Sequence, residues 1–318
     1  MKNLIAIVAG EPMSINSEII AKAWKKIYKK NFFVIGNYLL FKKQLSKLGI
    51  KLPLKKIDNL KDFKPSSGLN IFDIPLNFKS AFKEKKVQRK YILKSLNLAH
   101  EFAISKKIKG FVNAPIDKKI FKPKKIGVTE YLAKKNNIKN EEVMMIYNKK
   151  LSVVPITTHI DISKIKSKIK SVLIKKKIIV LDRYYKSFFN KKPRIALLGL
   201  NPHNSENLKN STESKVIKPL VLKLKMRGIN IYGPFPADTI FMKEKRRNYN
   251  VIVGMYHDQV LSPFKALYNF EAINITLGLK YIRTSPDHGI ASDIVGKNKA
   301  NSSSLINSIK FIDNINND

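Results

Sequence analysis

The feature that most limits how this chain can fold is an alternation. Short apolar runs, each ending in a polar or glycine-bearing turn, are separated by longer amphipathic stretches. Residues 4–9, 32–35, 69–72, 110–112, 151–157, 194–198, 251–255 and 273–277 read as strands, because short apolar runs bounded by turn signals suit buried strands. Between them, residues 17–29, 38–48, 87–106, 163–190 and 215–227 carry helical spacing. Strand–helix alternation predicts an α/β fold with a largely parallel sheet. Residues 51–68, punctuated by Pro53, Pro65 and Gly68, are expected to be an irregular connection, and the Asn- and Ser-rich segment 201–214 a mobile loop.

Open α/β sheets build active sites from polar groups delivered at the carboxyl ends of strands. The run 251–255 ends in His257-Asp258-Gln259, the run 272–277 ends in glycine, and a basic segment leads into Asp287-His288-Gly289. This is the pattern of an enzyme. His159, His203 and His257 each close a polar motif after an apolar run, and neutral imidazoles are good ligands for divalent transition metals. Their separations of 44 and 54 residues match no local metal motif. Isolated histidines also serve as hydrogen-bonded core residues, so spacing alone leaves both readings open. His100 falls in a helical stretch with no assigned role. Lys265 and Arg283 can bind carboxylate or phosphate, yet among 62 Lys and Arg either one reads equally as a solvated charge.

With 318 residues, 44% of them hydrophobic, the chain can bury a substantial core in one or two domains. No apolar stretch approaches the roughly 20 residues of a membrane-spanning helix. The apolar start runs straight into Glu11-Pro12, which reads as a buried first strand and not a signal peptide. Zero cysteines excludes disulfides and thiolate metal sites, and suits a cytoplasmic setting. The formal charge of +39 invites a nucleic-acid-binding reading. The lysines are spread over the whole chain beside abundant Ile and Asn, however, which fits compositional drift on solvated surfaces. The charge still favours phosphorylated substrates.

Six motifs, in order, carry a resemblance: Asn113-Ala-Pro-Ile-Asp-Lys118, Gly127-Val-Thr-Glu-Tyr-Leu132, Thr157-Thr-His-Ile160, Leu198-Gly-Leu-Asn-Pro-His203, Gly233-Pro-Phe-Pro-Ala-Asp-Thr239 and Met255-Tyr-His-Asp-Gln259. Together they resemble the 4-hydroxythreonine-4-phosphate dehydrogenase family of vitamin B6 biosynthesis, itself related to the β-decarboxylating dehydrogenases. The resemblance implies an isocitrate/isopropylmalate dehydrogenase-like α/β fold: two lobes with mixed, largely parallel sheets and an active-site cleft between them. Residues 1–125 plus 267–318 would form the cofactor-side lobe, and 126–266 the central metal, substrate and dimerisation lobe. It further implies a divalent metal (Zn, Co or Mg) on His159, His203 and His257, with ligands shared across a homodimer. Thr129, Lys265, Asn274 and Arg283 match substrate-binding positions. Asp238 and Asp258 are candidates for orienting ligands or moving protons, and each reads equally as a turn cap; Lys118 is a candidate for proton transfer or for binding a carboxylate.

The segment from Asp287 to Asn301 resembles the adenosine-binding loop of isocitrate and isopropylmalate dehydrogenases, in which an asparagine follows a His-Gly pair by thirteen positions. His288, Gly289 and Asn301 are therefore expected to bind NAD, although the chain has no GxGxxG fingerprint. A Gly-containing loop that caps the last helix is the plainer reading of the same residues.

Three departures bear on the substrate. Where the family has a glycine-rich loop after the first strand, this chain has Gly10-Glu-Pro-Met-Ser-Ile-Asn-Ser-Glu18, in which Ser14 or Asn16 is a candidate helix cap. The family's Gly-His-Thr-Glu becomes Gly127-Val128-Thr129-Glu130, and the glycines usual after Asn-Pro-His are missing. The expected activity is NAD-dependent oxidation and decarboxylation of 4-phosphooxy-L-threonine to 3-amino-2-oxopropyl phosphate. The alternatives are a sibling dehydrogenase of D-threonate or D-erythronate 4-phosphate, and a non-catalytic, basic, nucleic-acid-binding descendant.

Overall fold

The structure is a computed structural model that describes residues 3–65, 68–82, 88–121, 127–138, 141–269 and 271–315, without the side chains of Lys118 and Asn207. In chain order the first elements are β1 (Ile5–Val8), α1 (Asn16–Ile27), β2 (Phe32–Gly36), α2 (Tyr38–Lys47), β3 (Leu54–Ile57) and β4 (Leu69–Asp73). Next come α3 (Arg89–Ile104), β5 (Gly110–Asn113), α4 (Val128–Lys135), β6 (Val143–Tyr147), β7 (Ser152–Thr157) and α5 (Ser171–Phe189). Then follow β8 (Ile195–Leu198), α6 (Lys218–Met226), β9 (Ile231–Phe235), β10 (Val251–Tyr256) and α7 (His257–Tyr268). The chain ends with β11 (Ile273–Leu277), β12 (Ile282–Pro286) and α8 (Ser303–Asn314).

Two compact units result: Met1–Val128 with Lys280–Asp318, and Thr129–Leu279. The boundary expected near Ile126 lies outside the described residues. The other, expected near Ala266, falls after Leu279, because β11 pairs antiparallel with β6 from Ile273↔Tyr147 to Leu277↔Val143 and so belongs to the middle unit. In the flanking unit the strand order is β3-β4-β2-β1-β5-β12, with every neighbouring pair parallel. Its central strands β1, β2 and β5 are buried along their whole length, as a parallel sheet covered by helices requires. The middle unit has the order β11-β6-β7-β10-β8-β9 and is mixed: β11, β6 and β7 alternate in direction, while β7, β10, β8 and β9 run parallel. No helix among the described residues is long and apolar enough to cross a membrane.

Four strands escape the apolar-run reading. β3 lies inside the expected irregular connection; it carries Lys55 and Lys56 and pairs on one side only, with β4, so an edge position tolerates its polarity. β12 is polar in sequence yet buried throughout. β9 holds Gly233 and Pro234, and β6 is a short run, Val143-Met-Met-Ile-Tyr147, that follows the left-handed Asn137. The expected helix 163–190 breaks at Ile169, whose extended backbone (ψ 91°) precedes α5. A further helix, α7, begins at His257 and contains Pro263, a residue that costs roughly 3 kcal/mol inside a helix.

The loop after β1 keeps one left-handed glycine and is otherwise held by side-chain hydrogen bonds. Gly10 is left-handed (φ 72°), and a Cβ there would collide with the carbonyl oxygen of Pro115. Asn16 does not cap α1. Its Nδ2 donates to the carbonyls of Ala9 (2.8 Å) and Pro115 (2.7 Å), joining the ends of β1 and β5. Ser14 Oγ donates to Glu11 O and accepts from Asn16 N. Burial pushes the Glu11 carboxyl up, and the nearby Asp117 charge pushes it further.

Asn16→Ala would leave two buried carbonyls without these donors, and should lower stability by roughly 2–3 kcal/mol in denaturant unfolding. An unchanged unfolding midpoint would show that water replaces the amide.

Candidate functional site

The middle unit sets its site by strand direction. β7, β10 and β8 are neighbours and parallel, so their carboxyl ends lie along one edge. His159 follows β7 by two residues, His257 starts α7 directly after β10, and His203 lies five residues beyond β8. Side-chain bonds tie the three strand ends together. Thr157 Oγ1 donates to Met255 O (2.7 Å) across β7 and β10. Gln259 accepts from Met255 N (2.7 Å) and donates to Gly199 O (2.8 Å), linking β10 to β8.

The His159 and His257 rings face one another with centroids 6.1 Å apart. Two imidazoles bound through nitrogen to one cation, at Zn–N distances of about 2.0–2.1 Å, would hold their centroids about 5–6 Å apart. Each ring is backed by a carboxylate. His257 Nδ1 meets Asp258 Oδ1 at 2.6 Å, and His159 Nδ1 lies 3.9 Å from Glu130 Oε1. The short Asp258 contact orients the His257 ring and directs its Nε2 to the front, the arrangement that metal-ligating histidines use, while Glu130 at 3.9 Å is a charged neighbour of His159 Nδ1. The pair therefore fits a divalent transition cation. Among the described residues no three His, Asp or Glu side chains converge into one metal-sized group within a single chain.

Behind Glu130 sits an uncommon cation. Lys177 on α5 is buried, and burial pulls its ammonium below the ordinary 10.5 while Glu142 and Glu130 pull it back up. Glu142 Oε2 is itself buried with no hydrogen-bond partner among the described residues.

His203 is held differently. Residues 203–206 are all left-handed, with φ of 46°, 56°, 52° and 47°, and none is glycine. Each such residue costs roughly 1–2 kcal/mol, so consecutive ones require enforcement from outside. Asn204 Nδ2 donates to Pro234 O (3.1 Å), and Gly199 leaves the space that Asn204 Oδ1 fills. The buried Glu213 carboxylate accepts from Leu200 N (2.8 Å), Asn201 N (2.8 Å), Asn201 Nδ2 (3.1 Å) and Ser205 Oγ (3.0 Å). Burial alone would raise Glu213, but the Asn201 amide, its own backbone amide and the Asn201 and Ser205 side chains hold it below the ordinary 4.5.

Of the expected substrate residues, Thr129, Lys265 and Asn274 belong to the middle unit and Arg283 to the flanking one. Thr129 Oγ1 lies 3.4 Å from Thr276 Oγ1, two residues along β11 from Asn274. Asn274 Oδ1 is buried with no hydrogen-bond partner among the described residues, an acceptor position suited to a ligand donor. Lys265 is exposed on α7. Arg283 on β12 is only 2% exposed, and its Nε donates to Asn113 Oδ1 (2.6 Å). Asp238 is exposed in the first turn of the short helix Ala237–Ile240. The side chain of Lys118 lies outside the described residues. His100 Nδ1 is 2.9 Å from Tyr281 Oη, a structural contact in the flanking unit.

His288 and Asn301 stand at the two ends of a loop between β12 and α8. The loop is stapled to α1: buried Glu18 Oε1 accepts from Ala300 N (2.6 Å) and Lys22 Nζ (2.7 Å), and Lys22 also donates to Asn298 O and Ala300 O, both at 3.1 Å. Asn301 Oδ1 accepts from Ser303 N (2.8 Å), which leaves its NH2 to donate elsewhere. A Cβ added to Gly289 would meet no atom of the described residues within 4 Å, so their packing does not by itself require glycine there. Open room above Gly289 fits a cofactor lying against the loop.

Sequence reasoning overlooked Gln259, Glu130, Lys177 and Glu213. Gln259 sits inside a quoted motif and was detectable there. Glu213 and Lys177 look like ordinary solvated helix residues.

The family described as pyridoxal phosphate biosynthetic protein PdxA matches residues 28–312. A 4-hydroxythreonine-4-phosphate dehydrogenase of Sulfurihydrogenibium sp. is 38% identical over 96% of both chains. A D-threonate 4-phosphate dehydrogenase of Salmonella typhimurium is 33% identical over 96% of this chain and 97% of its own. The crystal structure of a 4-hydroxythreonine-4-phosphate dehydrogenase from Klebsiella pneumoniae superposes with a TM-score of 0.85, at 31% identity, over 98% of this chain and 99% of that one.

Because its folded pKa is depressed, Glu213 contributes stability that is present above pH 4.5 and lost as the pH falls through the lower folded value. The stability advantage of the wild type over Glu213→Gln should be roughly 3 kcal/mol at neutral pH. It should shrink only below pH 4.5. A difference that does not vary with pH would contradict the role given to the ionised carboxylate.

Proposed function

The chain belongs to the family of the pyridoxal phosphate biosynthetic protein PdxA and, on that premise, we propose that it oxidises 4-phosphooxy-L-threonine with NAD. The 3-hydroxyl becomes a ketone as hydride passes to NAD and a proton is released. The resulting β-keto acid loses carbon dioxide and leaves 3-amino-2-oxopropyl phosphate. The observation that carries the reading is the facing His159–His257 pair, each imidazole backed by a carboxylate, on neighbouring parallel strand ends.

In this reading His159, His203 and His257 hold the divalent cation, with ligands drawn from both subunits of a homodimer. When bound, the cation supplies a Lewis acid beside the reacting alcohol, and NAD supplies the hydride acceptor. Asp258 fixes the His257 ring through Nδ1, and Glu130 places negative charge beside His159 Nδ1. Thr129 and Asn274 offer a hydroxyl and an uncommitted amide oxygen to the substrate, and exposed Lys265 offers charge to its phosphate or carboxylate. Arg283 is assigned to the substrate by family likeness. His288, Gly289 and Asn301 receive the adenosine, with Glu18 and Lys22 holding the loop behind them. Asp238 and Lys118 remain the candidates for proton transfer. The lack of cysteine suits work in the cytoplasm.

A second reading has the enzyme acting on D-threonate or D-erythronate 4-phosphate. Val128, the first residue of α4, favours it: valine stands where the family has a histidine and can make no polar contact. The Salmonella relative bears the D-threonate 4-phosphate name.

Purified protein with Zn, Co or Mg should form NADH and release carbon dioxide from 4-phosphooxy-L-threonine. No NADH from that acid, with efficient oxidation of D-threonate or D-erythronate 4-phosphate, would transfer the assignment to the second reading. Replacement of His159, His203 or His257 by Ala should each cut turnover at least about a hundredfold, within the several kcal/mol that a Lewis acid supplies. Mixing two such inactive variants should restore some activity if sites are shared. His288→Ala should raise the NAD requirement and leave metal content intact.

A further inference from the structure

We infer that Glu213 is the positioning residue that holds His203 in its left-handed turn, and that it thereby sets divalent-metal affinity; the metal part of this rests on the reading above. Four consecutive residues, His203 to Glu206, are left-handed without a glycine among them. L-residues enter that region singly, and a run of them unwinds unless side chains outside the run hold it. Glu213 is fully buried, and its carboxylate grips the loop on both sides of His203. On the near side it accepts from the backbone amides of Leu200 and Asn201, and on the far side from Ser205 Oγ. Among the described residues no salt bridge reaches Glu213, so amide and hydroxyl donors meet its charge. One carboxylate thus fixes the entry and the exit of the turn, and with them the direction in which the His203 imidazole leaves the backbone. The glycines usual in the family after Asn-Pro-His would adopt such a turn at little cost. This chain has none there, and a buried carboxylate does the enforcing.

Glutamine at 213 keeps the shape but turns an NH2 toward some of these donors. The test titrates Co2+ into the full-length wild type, Glu213→Gln, Glu206→Gly and the double variant, reading the cobalt absorption bands. Hydrogen exchange at the Leu200 and Asn201 amides is followed in the same metal-free samples. Glu206 is exposed and is the last left-handed residue of the turn, so glycine there relieves the turn directly. Glu213→Gln should weaken Co2+ binding at least about tenfold, as loss of support behind a ligand does. The two amides should lose protection, while NAD affinity, read in the other unit, stays within about twofold. Adding Glu206→Gly should recover most of the Co2+ affinity, and Glu206→Gly alone should bind at least as tightly as the wild type. Wild-type Co2+ affinity in Glu213→Gln, unchanged exchange at both amides, or no recovery in the double variant would each overturn the inference. If the wild type binds no Co2+, the metal reading fails on its own. The exchange arm then decides: lost protection upholds Glu213 as the holder of the turn, and equal protection rejects it.

Discussion

In the middle unit β7, β10 and β8 lie side by side and point the same way. Parallel neighbours cannot be joined by a tight hairpin, so each strand must feed a crossover, and the three loops that begin these crossovers gather at one edge. Histidines more than forty residues apart in sequence come to that edge because of this pairing alone. Thr157 and Gln259 then lock the strand ends against sliding. Register matters here because a slip of one residue would turn each side chain to the opposite face.

Two loops of this chain lack glycines that the family resemblance leads one to expect, and each is held by a buried polar side chain. After β1, the Asn16 amide spans carbonyls from Ala9 and Pro115. After β8, the Glu213 carboxylate gathers amides and a hydroxyl around a left-handed turn. Glycine reaches such conformations through freedom. Only the loop after β8 places residues other than glycine in the left-handed region; there hydrogen bonds to Glu213 enforce the turn, at the cost of burying groups that must stay satisfied.

The alternation of apolar runs made the α/β class legible, and the six ordered motifs pointed to the family. What stayed hidden is physically intelligible. β12 reads as a basic, polar segment because Arg283, Thr284 and Ser285 are polar, yet partners such as Asn113 satisfy them in the interior. β3 carries two lysines that only an edge strand tolerates. α7 was masked by Pro263 and by the His-Asp-Gln triplet, which looked like the end of a strand. Within the site, the histidines were visible as residues but not as neighbours. Their facing geometry depends on strand order, which sequence separation does not carry. Glu213 and Lys177 were invisible because charge normally marks a surface, and here it is buried.

Diffraction at the cobalt absorption edge, from crystals grown with Co2+, tests the account most directly. One strong anomalous peak per chain is expected, within bonding distance of His159, His203 and His257 imidazoles once both subunits of the proposed dimer are counted. Cobalt bound elsewhere, or no bound cobalt in a folded protein that still forms NADH from its phosphorylated acid, would contradict it.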